Sequence, residues 1–280
     1  MSIVVLVVID GARPDALEQA NCPNWTALKA KGAFTLTASS VMPSITLPCH
    51  TSLFHSAPPT RHGIVSNQWS PMARPLPGLI DQAAAAGLRC AAFYGWEPLR
   101  DLSRPGSLTF SYCLNTAEID LNSDQILARE AARYLQNNST DFAFVYLGTV
   151  DTAGHRFGWM SAEYLAQLEQ ADRNLGVLLD ALPGDATALL QSDHGGHERT
   201  HGTNLAEDMT IPWLVVGPAI RQGYRLESNV SLLDTAPTLA NLLGITPHPH
   251  WEGRCVDEIF IEPIIGPIER SEVSKKGITI

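Results

Sequence analysis

The chain has 280 residues, 45% of them hydrophobic and 17% charged, and its 19 Lys and Arg against 29 Asp and Glu leave a formal charge of −10. That balance is that of a globular chain able to bury a substantial core. It excludes a general nucleic-acid or anionic-membrane surface, which needs clustered Lys and Arg to neutralise phosphate. An anionic small molecule would instead have to meet local positive charge, which bound metal can supply.

The run Ile3 to Ile9 is continuous, apolar and largely β-branched, the pattern of a strand buried on both faces of a parallel sheet. It is only seven residues long, has no basic flank and ends in Asp10-Gly11, so it reads as a strand and not as a signal peptide or membrane span. No later stretch is long enough to cross a bilayer. The five cysteines, Cys22, Cys49, Cys90, Cys113 and Cys255, are scattered and form no CxxC pair, which fits free thiols in a reducing compartment. A cytoplasmic location is expected.

Asp10 stands at the C-terminal end of the first strand, the edge where open α/β sheets build their sites. It is either a ligand or the cap of a helix beginning near Arg13-Pro14. Pro23 to Lys31 reads as a helix with Pro in its first turn, stopped by Gly32, and Phe34 to Ser39 as a strand. Thr46 precedes a helix starting near Pro48, so its hydroxyl is either at an anion-attracting helix end or simply an N-cap. His62 to Asn67 is a loop that offers the Asn67 amide.

Leu76 to Ala86 reads as a helix stopped by Gly87, and Leu88 to Tyr94 as the next strand. Residues 96 to 120 have no clear period and read as an insertion over the sheet edge. A helix over Ser123 to Gln136, with Ser123 as cap, leads to a buried strand over Phe142 to Leu147, from whose end come Asp151 and His155. A long helix over Tyr164 to Leu182 and a strand ending at Ala188-Leu-Leu190 follow.

The next stretch, Gln191 to Asn204, carries Asp193, His194, His197 and His201, spaced by glycines in a segment too polar for core. Imidazole with carboxylate suits zinc, manganese or iron better than magnesium or calcium. Ile211 to Gly217 is a further strand, and Ser231 to Gly244 a helix ended by glycine. The tail from Pro263 is expected to be peripheral. The expected architecture is a single α/β domain over residues 1–262, with a doubly wound, mostly parallel sheet sandwiched by helices.

Three strand ends thus bring Asp10, Asp151 with His155, and Asp193-His194 with His201 to one edge. Three carboxylates and three imidazoles suffice for two metal ions with positions left for substrate, the arrangement used in phosphoryl transfer.

The ordered pieces Val8-Ile-Asp-Gly11, Thr46-Leu-Pro-Cys-His50, His62-Gly-Ile-Val-Ser-Asn67, Asp151-Thr-Ala-Gly-His155, Ser192-Asp-His-Gly195, His201-Gly202 and Asp234-Thr-Ala-Pro-Thr-Leu239 cover nearly the whole chain. In this combination the sequence resembles the alkaline phosphatase superfamily, and within it the type I phosphodiesterase/nucleotide pyrophosphatase branch. The resemblance implies that Asp10, Asp193 and His194 hold one divalent ion, which Thr46 also approaches, and that Asp151, His155 and His201 hold a second. Zinc is the first expectation, with manganese or iron as alternatives.

It further implies Thr46 as the nucleophile of a covalent intermediate and Asn67, with a backbone N–H near Thr46, as donors to a nonbridging phosphoryl oxygen. Two departures stand out. Cys49 replaces the Asn of the branch's T-F-P-N-H and is expected to be a packed helix residue, and the gap from Asp193-His194 to His201 is short. The His-Gly pair favours His201 over His197 as the ligand. Sulfatases need C/S-x-P/S-x-R, which Cys49-His-Thr-Ser-Leu53 does not match.

The expected activity is hydrolysis of small phosphodiesters or pyrophosphates, with no nucleic-acid polymer or membrane as partner. The alternatives are a phosphonoacetate hydrolase or phosphomonoesterase and, in another class, a non-catalytic metal-binding homologue. A diesterase needs an apolar or aromatic slot for its second ester group, whereas a monoesterase needs cations. Trp69, Trp96 and Trp159 are candidates for that slot, with loop or core packing as the alternative.

Overall fold

The computed structural model describes residues 2–115 and 120–262, so the tail from Pro263 lies outside the described residues. In chain order the elements are β1 (Val4–Ile9), α1 (Pro14–Gln19), α2 (Pro23–Lys31), β2 (Ala33–Ser39), α3 (Thr46–His55), α4 (Pro59–His62), α5 (Leu79–Ala85), β3 (Cys90–Tyr94) and β4 (Phe110–Cys113). They continue with α6 (Ser123–Asn137), β5 (Phe142–Leu147), α7 (Thr149–Phe157), α8 (Ala162–Leu179), β6 (Thr187–Gln191), α9 (Ala206–Met209), β7 (Thr210–Val216), β8 (Tyr224–Arg225) and α10 (Thr235–Leu242). The strands form one sheet in the order β4-β3-β5-β1-β6-β7-β2-β8. Among the described residues only β7 runs against its neighbours, β6 and β2.

The expected doubly wound, mostly parallel sheet follows from the composition of β1, whose six residues are all buried. Val4, Leu6 and Val8 enter one apolar layer with Leu53 and Phe54 of α3, Leu79 of α5 and Leu239 of α10. Val5, Val7 and Ile9 enter the opposite layer with Trp25 of α2, Leu127 of α6 and Leu168 and Leu175 of α8. A strand with apolar residues in every position can be satisfied only where helices cover both faces.

Register then places the site. Ile9 pairs with Leu147 on one side of β1, and Val8 with Gln191 on the other. The chain therefore leaves the sheet at Asp10, Gly148 and Ser192 side by side, at the C-terminal ends of three adjacent parallel strands.

Several expectations change. Neither Asp10 nor Thr46 caps a helix: α1 is preceded by Arg13 and α3 by Ile45, and Thr46 is the first residue of α3. The cap position of α6 is Asn122 rather than Ser123. Residues 97–102 form a 3₁₀ turn, and Phe110–Cys113 form an edge strand beside β3. The edge strand escapes periodicity because only alternate residues are half-buried; Phe110 stacks on Tyr134 of α6 at 3.9 Å.

The segment after β5 is a helix, α7, and its start is held from a distance. Asp124 of α6 accepts from the backbone N–H of Gly148 (3.2 Å), the N–H of Thr149 (2.9 Å) and the Thr149 hydroxyl (2.6 Å). Gln167 of α8 donates to the same hydroxyl at 2.7 Å. A helix of nine residues with Gly154 inside it depends on such tertiary support. Burial pushes the Asp124 carboxyl up to about 6, although each of these donors favours its charged form. Asp124→Ala leaves three buried donors without an acceptor and is expected to cost about 2 kcal/mol or more. Thermal unfolding checks this, and an unchanged midpoint would contradict it.

Candidate functional site

The loop after β6 is shaped by close backbone approaches. Gly196 and Gly154 both lie against Trp159, where a Cβ would come within 2.2 Å and 2.6 Å of its indole. Trp159 is buried, donates Nε1–H to the Gly11 carbonyl at 2.9 Å and sets its edge against the His155 ring at 5.1 Å. Of the two roles weighed for it, packing is the one observed. Asp208 of α9, which sequence reasoning did not single out, organises the rest of the loop. Its Oδ1 pairs with His197 Nδ1 at 2.7 Å, and its Oδ2 accepts from Thr203 N–H at 2.9 Å. Burial works against the charge of Asp208, but these donors hold its carboxyl below the usual range.

Each of three imidazoles gives its Nδ1–H to a backbone carbonyl: His194 to Gly195 (2.8 Å), His201 to Ser44 (2.8 Å) and His155 to Arg199 (3.0 Å). A carbonyl can only accept, so Nδ1 carries a proton, and in the neutral ring Nε2 is the nitrogen that presents a lone pair. Those lone pairs converge. His201 Nε2 lies 3.1 Å from His155 Nε2, and both lie 3.5 Å from a carboxylate oxygen of Asp151. His194 Nε2 lies 3.2 Å from Asp10 Oδ1 and 3.4 Å from Asp193 Oδ2.

Two groups of ligand atoms close enough to hold a metal ion result: Asp151, His155 and His201, and Asp10, Asp151 and His194. Asp193 stands beside the second group with one oxygen turned away. Its Oδ1 accepts from Gly11 N–H (3.3 Å) and His194 N–H (3.0 Å), while Oδ2 remains at the site. His197, bonded to Asp208, belongs to neither group.

The donor set fits divalent cations on the structure's own terms. Asp10 Oδ1 and Asp193 Oδ2 are buried acceptors that no protein donor satisfies. Burial, followed by the charge of Asp10, pushes the Asp193 carboxyl well up. His201 is pushed down to about 3 by burial and then by His194, and burial lowers His194 as well. Neutral imidazoles facing crowded carboxylates are the form in which such groups bind metal. The Tyr146 hydroxyl donates to Asp10 Oδ2, and burial followed by the Asp10 charge keeps the phenol protonated.

Thr46 opens α3 with its Oγ1 3.3 Å from His194 Nε2. Asn67 accepts the Leu47 N–H through Oδ1 at 3.0 Å, which turns its amide N–H groups to the far side. The Leu47 N–H is thereby engaged, and Pro48 has none, so of the first backbone donors of α3 only that of Thr46 itself remains for an anion. Cys49 is buried beside Ser40, and its thiol is pushed up by burial, in keeping with a packing role.

A cavity of about 310 Å³ joins these groups: Asp10, Thr46, Asn67, Tyr146, Asp151, His155 and His201 line it, together with Trp96 and Arg156. Trp69 lies instead in a second cavity, with His55 and Leu102.

The loop carrying Asn67 is braced by His62. Its Nδ1 accepts the Ile64 N–H at 3.1 Å, so its Nε2–H donates to Ser52 of α3 at 2.9 Å. Burial, and then repulsion from His55, pushes His62 down to about 4. With a folded value below the unfolded one of roughly 6.5, the unfolded chain binds more protons between those limits. This contribution to stability is complete above about pH 6.5 and is lost as pH falls toward 4. Denaturant unfolding of the metal-free protein should therefore weaken more steeply over that window in the wild type than in His62→Gln; equal slopes would contradict the assignment.

A family model described as type I phosphodiesterase / nucleotide pyrophosphatase matches residues 4–210. A venom phosphodiesterase of Naja atra is 25% identical over 222 residues, which cover 69% of this chain and 26% of that protein. Human ectonucleotide pyrophosphatase/phosphodiesterase family member 7 is 24% identical over 224 residues, covering 69% of this chain and 47% of its own. The match thus spans about a quarter to a half of those relatives' lengths.

Among solved structures, an inactive variant of murine ectonucleotide pyrophosphatase / phosphodiesterase 5 in complex with AMP aligns with a TM-score of 0.76 at 17% identity, covering 90% of this chain and 97% of that one. The phosphonate monoester hydrolase of Agrobacterium radiobacter aligns at 0.74 and 16%, covering 91% and 76%. At these identities the structural likeness concerns the fold.

Proposed function

Because the chain belongs to the type I phosphodiesterase / nucleotide pyrophosphatase family of the alkaline phosphatase superfamily, we propose that it hydrolyses small phosphodiesters or pyrophosphates at a two-metal site through a covalent threonine intermediate. The observation that carries this reading is the convergence of three Nε2 lone pairs and two unsatisfied carboxylate oxygens beside the Thr46 hydroxyl. Asp10, Asp193 and His194 would hold one ion and Asp151, His155 and His201 the other, with zinc favoured by the mixed nitrogen and oxygen donors. Bound there, the ions would acidify the Thr46 hydroxyl and a water molecule and neutralise phosphoryl oxygens.

Thr46 Oγ1 would attack phosphorus as its proton passes to solvent; the Oγ1–P bond forms, the bond to the leaving oxygen breaks, and that oxygen takes up a proton from solvent. Water then cleaves the Oγ1–P bond and returns the proton to Thr46. The Asn67 amide N–H groups and the Thr46 backbone N–H would meet a nonbridging oxygen, where charge grows in the transition state. Trp96 in the cavity wall supports a substrate with an apolar or aromatic second ester group. Arg156 in the same wall favours the second reading, a phosphomonoester or phosphonate hydrolase, since a guanidinium suits additional phosphoryl oxygens. A cytoplasmic location belongs to the proposal and rests on the cysteine usage.

The test is turnover of bis-p-nitrophenyl phosphate, p-nitrophenyl phosphate and phosphonoacetate by protein loaded with zinc or manganese. The diester should be preferred, and Thr46→Ala should lose at least ~10³-fold in kcat while binding metal as the wild type does. Turnover of phosphonoacetate alone would overturn the diesterase reading. Undiminished turnover by Thr46→Ala would overturn the nucleophile.

A further inference from the structure

Tyr146 is the last-but-one residue of β5, in register with Val8 and two residues from Asp10 along the adjacent strand. Its side chain is 3% exposed, yet its hydroxyl reaches Asp10 Oδ2 and donates a hydrogen bond to it. The approach depends on Gly148: a Cβ there would lie 2.7 Å from Tyr146 Cε1 and 3.0 Å from its hydroxyl oxygen. With Oδ2 engaged, Asp10 Oδ1 is left as a buried acceptor without a protein donor, 3.2 Å from His194 Nε2. The two oxygens of one carboxylate are thus divided between an outer hydrogen bond and the site.

We infer that Tyr146 is a positioning residue that holds Asp10 to single-oxygen coordination and so sets the affinity of the ion shared with His194. The inference rests on the two-metal reading of the site. A carboxylate free to swing can offer both oxygens, which suits large oxygen-coordinated ions; one pinned at Oδ2 offers a single oxygen in a fixed direction, as suits a four-coordinate ion with a nitrogen partner. Outer hydrogen-bond partners of metal ligands act in this way, by fixing orientation. Asp10, the partner of the Tyr146 hydroxyl, belongs to the group with His194 and not to that of Asp151, His155 and His201, so the effect should fall on the ion shared with His194.

The experiment is titration of the metal-free full-length protein with Zn²⁺ against a chelating dye, with Co²⁺ spectra recorded in parallel. The wild type should take up two ions. Tyr146→Phe should weaken one of them by roughly 10–100-fold, the same ion that Asp10→Ala abolishes, and should alter the Co²⁺ bands of that site alone.

Gly148→Ala keeps the phenol but crowds its ring, and should weaken the same ion, which gives a second route should Tyr146→Phe fold poorly. Two ions bound with unchanged affinity in both variants would overturn the assignment, and so would a fall in melting temperature with no change in affinity, which marks a merely structural role. A wild type that does not take up two ions would overturn the two-metal reading itself, and this assignment with it.

Discussion

Three imidazoles donate their Nδ1–H groups to backbone carbonyls of Gly195, Ser44 and Arg199, and from that constraint the rest of the site follows. A neutral histidine so bonded presents a lone pair on its other nitrogen. Here two such lone pairs face each other at 3.1 Å, and the third faces buried carboxylate oxygens with no donor. Acceptors crowded in this manner repel one another unless a cation lies among them. The surrounding packing resists their escape: Trp159 fills the space left by two glycines, Asp208 pins the loop, and Asp124 and Gln167 fix the start of α7.

The sheet supplies the frame for this concentration of acceptors. Strands β5, β1 and β6 are adjacent and parallel, so their C-terminal ends lie in one row, and each is followed at once by polar residues of the site. Helix α3 has Thr46 at its first position, where backbone N–H groups have no acceptor within the helix. One of those is tied to Asn67, and His62 ties the Asn67 loop back to the same helix through Ser52. Thr46 and the Asn67 amide are therefore carried by a single braced unit, and the chain belongs to the type I phosphodiesterase / nucleotide pyrophosphatase family.

The frame was legible in the sequence because its signals are strong. The unbroken apolar run of β1 requires cover on both faces, and polar residues directly after such runs in β1, β5 and β6 can only gather at one edge. Asp10, Asp151, His155, Asp193, His194 and His201 do come together there, as does Thr46. What stayed hidden depends on tertiary partners. The helix α7 is capped by Asp124 from another helix, the edge strand β4 is visible only through its pairing with β3, and the hydroxyl of Tyr146 lies within a strand whose pattern is uniformly apolar. Asp208 resembles any acidic residue of a short surface helix until His197 is seen bonded to it. Trp69, Trp96 and Trp159 were equivalent as residue types, and only packing assigns Trp96 to the cavity wall.

The central claim is that these acceptors hold two ions, with His201 and not His197 among the ligands. Anomalous diffraction recorded on either side of the zinc absorption edge, from crystals grown with zinc, tests it most directly. The account predicts two peaks, one among Asp10, Asp193 and His194 and one among Asp151, His155 and His201. A single peak, or one against His197 and Asp208, would contradict it.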